Sequence, residues 1–319
     1  MSLDRVVAFD TSLISENGGD SIIMKYINNI LQELWGEDFI VHVPTHDTIG
    51  KAAYYYCNQA RYKIMCGTNI LTANMIKTKM WSVSLRDVKY IKNTILLGAG
   101  WREYEKSVNL YTKYFWKTVL DKRYLHSVRD NYTKARLRKM GIGNVINTGC
   151  PTMWNLTPEF CSTVPEKKAK NVITTLTNYR ATKPEIDEKM LNILFKHYEH
   201  VFVWIQALED YAYLKSLKTE KKPEIIYPGL NNLDSMLQQS DIEYCGTRLH
   251  AGIEALNYGK RTLIIAKDNR AIEIGRDTKL PVISENEIDK LSDIIEAPIK
   301  CKIEIPVSNI QQWKAQFEN

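Results

Sequence analysis

Apolar residues in this chain fall into short runs separated by longer segments whose apolar positions recur at three- and four-residue spacing. In the first half the runs Arg5–Phe9, Phe39–Val43, Tyr62–Met65, Thr94–Leu97, Tyr124–Val128 and Asn144–Asn147 predict strands. Ser21–Leu34, Thr48–Gln59, Val108–Leu120 and Asn131–Met140 predict the helices between them, with Gly141 as a stop signal. Periodicity lapses between Asn155 and Lys170, around Pro158, Pro165 and a lysine run, which reads as a solvated inter-domain linker. It then restarts. Strands are expected at Asn171–Leu176, His200–Trp204, Glu224–Ile226, Ile242–Cys245 and Thr262–Ala266, and helices near Pro184–Tyr198, Leu208–Leu217, Leu233–Gln239 and Ala251–Asn257. Ile310, Trp313 and Phe317 share one helical face, so 306–319 is expected to be a C-terminal helix able to pack back across the domain junction. Such alternation belongs to open parallel sheets covered by helices on both faces. The expected fold class is α/β, with two doubly wound Rossmann-like domains, 1–155 and 170–305, facing a central cleft. Ligands in such sheets bind beyond the carboxyl ends of the strands.

Candidate chemistry sits at such ends. Gly246-Thr247-Arg248-Leu249-His250 lies where a strand runs into a helix whose apolar face is Leu249, Ile253 and Leu256 and whose stop is Gly259. A helix N-terminus offers unpaired N–H groups and partial positive charge to an anion. Arg248 and His250 can face one ligand if the helix begins near His250. The bland alternative pairs Arg248 with a core carboxylate and leaves His250 on a helix face. A second motif, Ser127-Val128-Arg129-Asp130, places Arg129 at a similar turn, with Asp130 able to cap the next helix. Two arginines at equivalent points, one per domain, suit a shared polyanion, because guanidinium forks bind carboxylate and phosphate bidentately. Asn17-Gly18-Gly19-Asp20-Ser21 follows the first strand, and its glycines permit a tight backbone approach to a ligand or simply a capped loop. Asp20 reads as an N-cap or as an acceptor for a substrate hydroxyl.

Composition narrows the classes. The chain has 319 residues, 44% hydrophobic and 25% charged, enough for two cores. A net charge of +6 fits an anionic substrate or loose contact with an anionic membrane surface, and is too diffuse for nucleic acid. The six cysteines show no CxxC spacing, so neither zinc nor a redox pair is signalled. With no signal peptide and no apolar run long enough to span a bilayer, a cytoplasmic protein is expected. Gly98-Ala99-Gly100-Trp101 begins like a dinucleotide fingerprint, but Glu103 occupies the third glycine position. No Asp-x-Asp triplet occurs, which disfavours a metal-dependent nucleotide-sugar transferase. The tyrosines at 54–56 and Trp81, Trp101 and Trp116 are read as core ahead of sugar-stacking surfaces.

Taken together, Asn17–Ile23, Ser127–Asp130 with the helix ending at Gly141-Ile142, and Gly246–Ala251 resemble the polysaccharide pyruvyl transferase family in order and separation. The resemblance implies a fold similar to the two-domain glycosyltransferase-B architecture, with the N-terminal domain on the acceptor side. The reaction it implies is transfer of a pyruvyl group from phosphoenolpyruvate to two hydroxyls of a sugar, forming a cyclic ketal in exopolysaccharide or cell-envelope glycan synthesis. On this analogy His250 is the general acid and base. Arg129 and Arg248, with Gly246 and Thr247, hold the donor, and Asn17, Gly18, Gly19 and Asp20 face substrate. Many relatives carry a tyrosine and a lysine after the strand that follows this helix. Here the loop reads Ala266-Lys267-Asp268-Asn269-Arg270, with Arg270 the better positional match. The glycine-rich turn after the third strand is reduced to Cys66-Gly67-Thr68-Asn69. Phosphoenolpyruvate is expected as donor substrate with no further cofactor and no metal. The expected acceptor is a sugar or lipid-linked oligosaccharide, which would make peripheral contact with the inner face of the membrane plausible. Two alternatives stand beside this reading: a metal-independent nucleotide-sugar glycosyltransferase, and a non-catalytic glycan- or phosphate-binding relative.

Overall fold

The computed structural model describes residues 3–178 and 183–318. The chain is α/β and divides into two Rossmann-like units. One comprises residues up to Ser15, Ile23–Trp154 and the segment from Ile305; the other comprises Glu16–Ile22 and Asn155–Glu304. Asn319, the last residue of the expected C-terminal helix, lies outside the described residues.

In the first unit, β1 (Arg5–Asp10), β2 (Phe39–Pro44), β3 (Tyr62–Cys66) and β4 (Thr94–Leu97) form a parallel sheet in the order β2-β1-β3-β4. A parallel pair, β5 (His126–Val128) and β6 (Val145–Asn147), is joined to it by a bridge between Ala99 and Val128. β1 and β4 read as continuous apolar runs because their residues are buried on both faces, as parallel strands between helical layers require. Trp81, Trp101 and Trp116 are all buried, so the core reading of these indoles holds. The helix expected from Val108 begins at Leu110 instead, because the Asn109 side chain accepts the Thr112 N–H as its cap. Asp130 caps Asn131–Lys139 in the same way, accepting from the Thr133 N–H at 2.6 Å. The helix Val307–Ala315 belongs to this unit and buries Ile310 and Trp313.

In the second unit, β7 (Asn171–Thr174), β8 (His200–Trp204), β9 (Glu224–Ile226), β10 (Ile242–Gly246), β11 (Thr262–Ala266) and β12 (Val282–Ser284) form one parallel sheet in the order β12-β11-β10-β7-β8-β9. Strand order reverses between β7 and β10, which makes the gap beyond their carboxyl ends the topological switch point of this sheet. The sequence pattern did not predict β12, the helix Asn269–Thr278 or the helix Leu291–Glu296. The first two are short or strongly polar, so their buried positions do not stand out as runs. The expected linker contains a single helical turn, Pro158–Cys161, which Thr157 caps through the Phe160 N–H. No helix among the described residues is long and apolar enough to cross a membrane.

Candidate functional site

At the switch point of the second unit the chain leaves β10 at Gly246 and enters the helix Leu249–Asn257, with Arg248 as its extended N-cap residue. His250 therefore occupies the first helical turn and is buried. A cluster of hydroxyls holds this loop to the end of β7. The Thr247 N–H donates to the Thr175 carbonyl at 3.2 Å, and its Oγ1 donates to the same oxygen at 2.9 Å. Thr177 Oγ1 lies 2.9 Å from Thr247 Oγ1. The Arg248 N–H donates to Thr175 Oγ1 at 3.1 Å, and Tyr244 Oη donates to the Arg248 carbonyl at 2.9 Å. Gly246 is required for this packing, since a side-chain carbon there would fall 2.7 Å from the Thr175 nitrogen and 2.8 Å from Tyr244 Oη.

The Arg248 guanidinium points into the protein. Its Nη2 lies 2.6 Å from both carboxylate oxygens of Asp210, and its Nε donates to the Leu176 carbonyl at 2.9 Å. Both side chains are buried. Burial pushes the Asp210 carboxyl above its ordinary range, and the adjacent Arg248 only partly offsets that. The core-carboxylate reading of Arg248 is thus realised. The guanidinium is charge-balanced and fixed by these partners, so Arg248 holds the strand-to-helix turn that carries His250.

Arg129 belongs to the first unit and is held differently. It follows β5, is 1% exposed, and its Nη2 donates to Asn69 Oδ1 in the loop after β3. Its Nε stands 3.6 Å from Asp130, the helix cap. The guanidinium lies against Gly100, where an added side-chain carbon would come within 2.2 Å of Arg129 Cζ. The glycine that begins to look like a dinucleotide fingerprint is there to admit an arginine. At the start of β5, His126 is neutral. Burial lowers its pKa to about 4, while Nε2 donates to the Asp121 carbonyl at 2.9 Å and Nδ1 accepts from the Leu96 N–H.

The Asn17–Asp20 motif groups with the second unit. The helix begins at Gly18, so the N-cap role expected of Asp20 passes to Asn17, whose Oδ1 accepts the Gly19 N–H at 3.1 Å. Asp20 sits within the first turn, beside Asn17 Nδ2 at 3.3 Å. The Gly18 N–H donates to the Gln206 carbonyl, and a side-chain carbon on Gly18 would come within 2.8 Å of the Trp204 ring. Here the glycine brings the backbone against β8, not against open space. Beyond the ends of β8 and β9 lies a cavity of about 500 Å³, lined in part by Glu16, Gln206, Leu208, Tyr211 and Tyr227. Gln206 is 3% exposed, and neither of its amide side-chain atoms has a hydrogen-bond partner among the described residues.

Arg270 is paired with its own helix cap, Asp268, through Nη2 at 2.5 Å and Nε at 2.8 Å. Lys267 lies 3.0 Å from Asp187 and 3.3 Å from Glu285. Both cations proposed for the altered loop therefore carry carboxylate partners. Sequence reasoning missed Asp210, Gln206, Gly100 and the threonines after β7. The run Thr174-Thr175-Leu176-Thr177 was the one legible signal, because hydroxyls clustered at a strand end suit backbone pairing. Among the described residues no group of three or more His, Cys, Asp or Glu is gathered to hold a metal ion.

Two parallel α/β units with arginines at the carboxyl ends of their strands define a Rossmann-like enzyme fold of the glycosyltransferase-B type. The same architecture appears in S. aureus MnaA solved with UDP, at a TM-score of 0.56 and 11% identity over 99% of this chain and 98% of that one. A putative UDP-N-acetylglucosamine 2-epimerase from Listeria monocytogenes matches at a TM-score of 0.54 and 11% identity, covering 94% of this chain and 92% of that one. No curated protein sequence matches. The sequence model for polysaccharide pyruvyl transferase matches residues 17–269, which takes in all three motifs. The chain belongs to the polysaccharide pyruvyl transferase family and is a transferase.

Proposed function

We propose that this transferase moves the pyruvyl group of phosphoenolpyruvate onto two hydroxyls of a sugar acceptor. One observation carries the reading. The family match spans 17–269 and includes both Arg129 and the Arg248–His250 turn, and each follows the carboxyl end of a parallel strand, where such sheets bind ligands. Arg129 supplies positive charge for the donor's phosphate or carboxylate. His250 delivers a proton to the methylene carbon of the enol, giving cationic character at the carbon bearing phosphate, which the first sugar hydroxyl attacks. His250 then accepts that hydroxyl's proton. The second hydroxyl attacks the same carbon, its proton leaves with the departing phosphate, and the ketal carries the former carboxylate of the donor. No cofactor enters this balance.

The cavity beside Gln206 is the proposed seat of the acceptor ring, which moves the acceptor from the N-terminal domain implied by the family resemblance to the second unit. Tyr211 and Tyr227 offer aromatic faces to apolar sugar C–H groups, and the buried amide offers one donor and one acceptor to vicinal hydroxyls. Asp210 and Tyr211 are on the helix Leu208–Ser216, so the acid that anchors Arg248 and a wall of this cavity share one rigid element. A nucleotide-sugar donor is the rival reading, drawn from the UDP in the S. aureus MnaA structure. The deciding experiment follows inorganic phosphate release from phosphoenolpyruvate across sugar and lipid-linked sugar acceptors. Acceptor-dependent release is expected, falling by about 10²-fold or more in His250→Ala, with donor binding retained. Thermal protection by UDP and none by phosphoenolpyruvate would move the assignment to the rival.

A further inference from the structure

The first unit contains a second cavity, of about 220 Å³, lined by Lys106, Ser107, Val108, Lys113, Arg136, Lys139 and Met140. Four of these residues are cationic and none is acidic. Arg136 is 9% exposed, and its Nε and Nη2 have no hydrogen-bond partner among the described residues. The guanidinium is pinned from other sides. Nη1 donates to the Lys106 carbonyl at 3.3 Å, and Cζ lies 4.8 Å from the Trp101 ring centroid. Of the carboxylates nearby in sequence, Glu105 is occupied by the Ala73 N–H and Trp101 Nε1 at 2.7 Å each, and Glu103 is engaged by Arg102. A buried cation without a carboxylate, in a cavity bearing three lysines, is costly unless an anion shares the site.

The cavity is distinct from the donor site. Arg136 is in the last turn of the helix Asn131–Lys139, whereas Arg129 precedes its first turn, so seven residues of rise, roughly 10 Å, separate them along the axis. What surrounds the cavity narrows the anion's identity. Leu110 is 85% exposed and Tyr114 61% exposed at i, i+4 on the helix Leu110–Val119, and Lys113 and Lys117 lie beside them. Ile76 is also exposed, on a segment tied to this helix by the Met75 N–H donating to Thr112 Oγ1 at 2.9 Å. Exposed apolar side chains interleaved with lysines make an interfacial face, in which the apolar groups enter the headgroup boundary and the cations meet lipid phosphates.

We propose that this face docks on an anionic lipid surface, with a lipid phosphate seated in the Arg136 cavity. The inference is independent of the donor assignment, because vesicle binding requires neither phosphoenolpyruvate nor acceptor. The experiment is co-sedimentation of the full chain with phosphatidylglycerol and with phosphatidylcholine vesicles, in low and high salt. Wild type should bind only the anionic vesicles and lose that binding at high salt. The surface pair Lys113→Glu with Lys139→Glu, which leaves buried Arg136 in place, should weaken it about tenfold or more. Leu110→Ser should weaken it less. Phosphate release in the donor assay should stay at the wild-type level in the pair when the acceptor is soluble. Equal binding to both vesicle types, or unchanged binding by the pair, overturns the proposal. So does titratable binding of inorganic phosphate, lost in the pair, by a protein that ignores vesicles.

Discussion

Arg129 and Arg248 stand at corresponding places, each just past the carboxyl end of a parallel strand, yet they are held by opposite means. Arg248 faces both oxygens of a buried carboxylate, and its Nε is spent on a backbone carbonyl. Arg129 is bonded to the neutral amide of Asn69, while nearby Asp130 accepts from the Thr133 N–H as a helix cap. Identical side chains at equivalent turns therefore do different work. The Asp210 carboxylate turns Arg248 into a strut for the histidine loop, whereas Arg129 has the neutral amide of Asn69 as its close partner and the helix-capping Asp130 at 3.6 Å.

The largest effect should come from removing the two partners. Asp210→Leu strands a buried guanidinium and should cost about 3–5 kcal/mol, whereas Asn69→Leu removes a neutral partner and should cost about 1–2 kcal/mol. Urea denaturation of both variants checks this, with Asp210→Leu/Arg248→Met expected to recover most of the loss. Equal costs for the two single variants would erase the distinction between the arginines.

Acidification should separate the same two neighbourhoods by sign. His126, three residues before Arg129, has a folded pKa of about 4 against an ordinary 6.5. The unfolded chain binds the proton first, so the contribution is fully present above 6.5 and is lost as pH falls towards 4, amounting to about 3 kcal/mol. Asp210 runs the other way. Its folded pKa is raised by burial, so the folded state binds the proton first and stability from this group declines as pH rises through the window above 3.8. Unfolding free energies from pH 4 to 7 should show a slope that His126→Asn flattens and that Asp210→Asn steepens, because the carboxyl's opposing contribution is then removed. A slope insensitive to His126 would show that the buried imidazole does not control it.

The architecture was legible wherever burial imposed a period. Every strand from β1 to β11 was marked by its apolar run, and the two arginine turns by punctuation at strand ends. The partners of those arginines were not legible, for a physical reason. Asp210 occupies the first turn of a helix, where acids are favoured by the helix dipole anyway, so its sequence context looks ordinary. Asn69 sits in a loop whose shape depends on β3, β4 and β5 lying side by side. Gly100 reads in the sequence as part of a broken dinucleotide fingerprint, and nothing in its sequence context points to the guanidinium beside it. In each case the missing information is a long-range contact, which no local pattern encodes.

Gly100 provides the smallest and most selective way to sharpen the contrast. Gly100→Ala would place a methyl 2.2 Å from Arg129 Cζ, so the guanidinium must swing away from Asn69. Because the contact is with the end of a side chain, the stability loss should be about 1–2 kcal/mol, at the lower end for overpacking. On the proposed role of Arg129 in donor binding, the donor KM should rise severalfold while kcat changes little, because the variant displaces that charge and leaves His250 untouched. Nothing comparable follows from crowding Gly246, where the obstacle is the Thr175 backbone and the fixed Tyr244 hydroxyl, neither of which can move aside. Gly246→Ala should therefore act on stability and kcat together, through the loop that carries His250. If Gly100→Ala also lowers kcat and leaves donor KM alone, Arg129 serves the reacting groups by a route other than holding the donor.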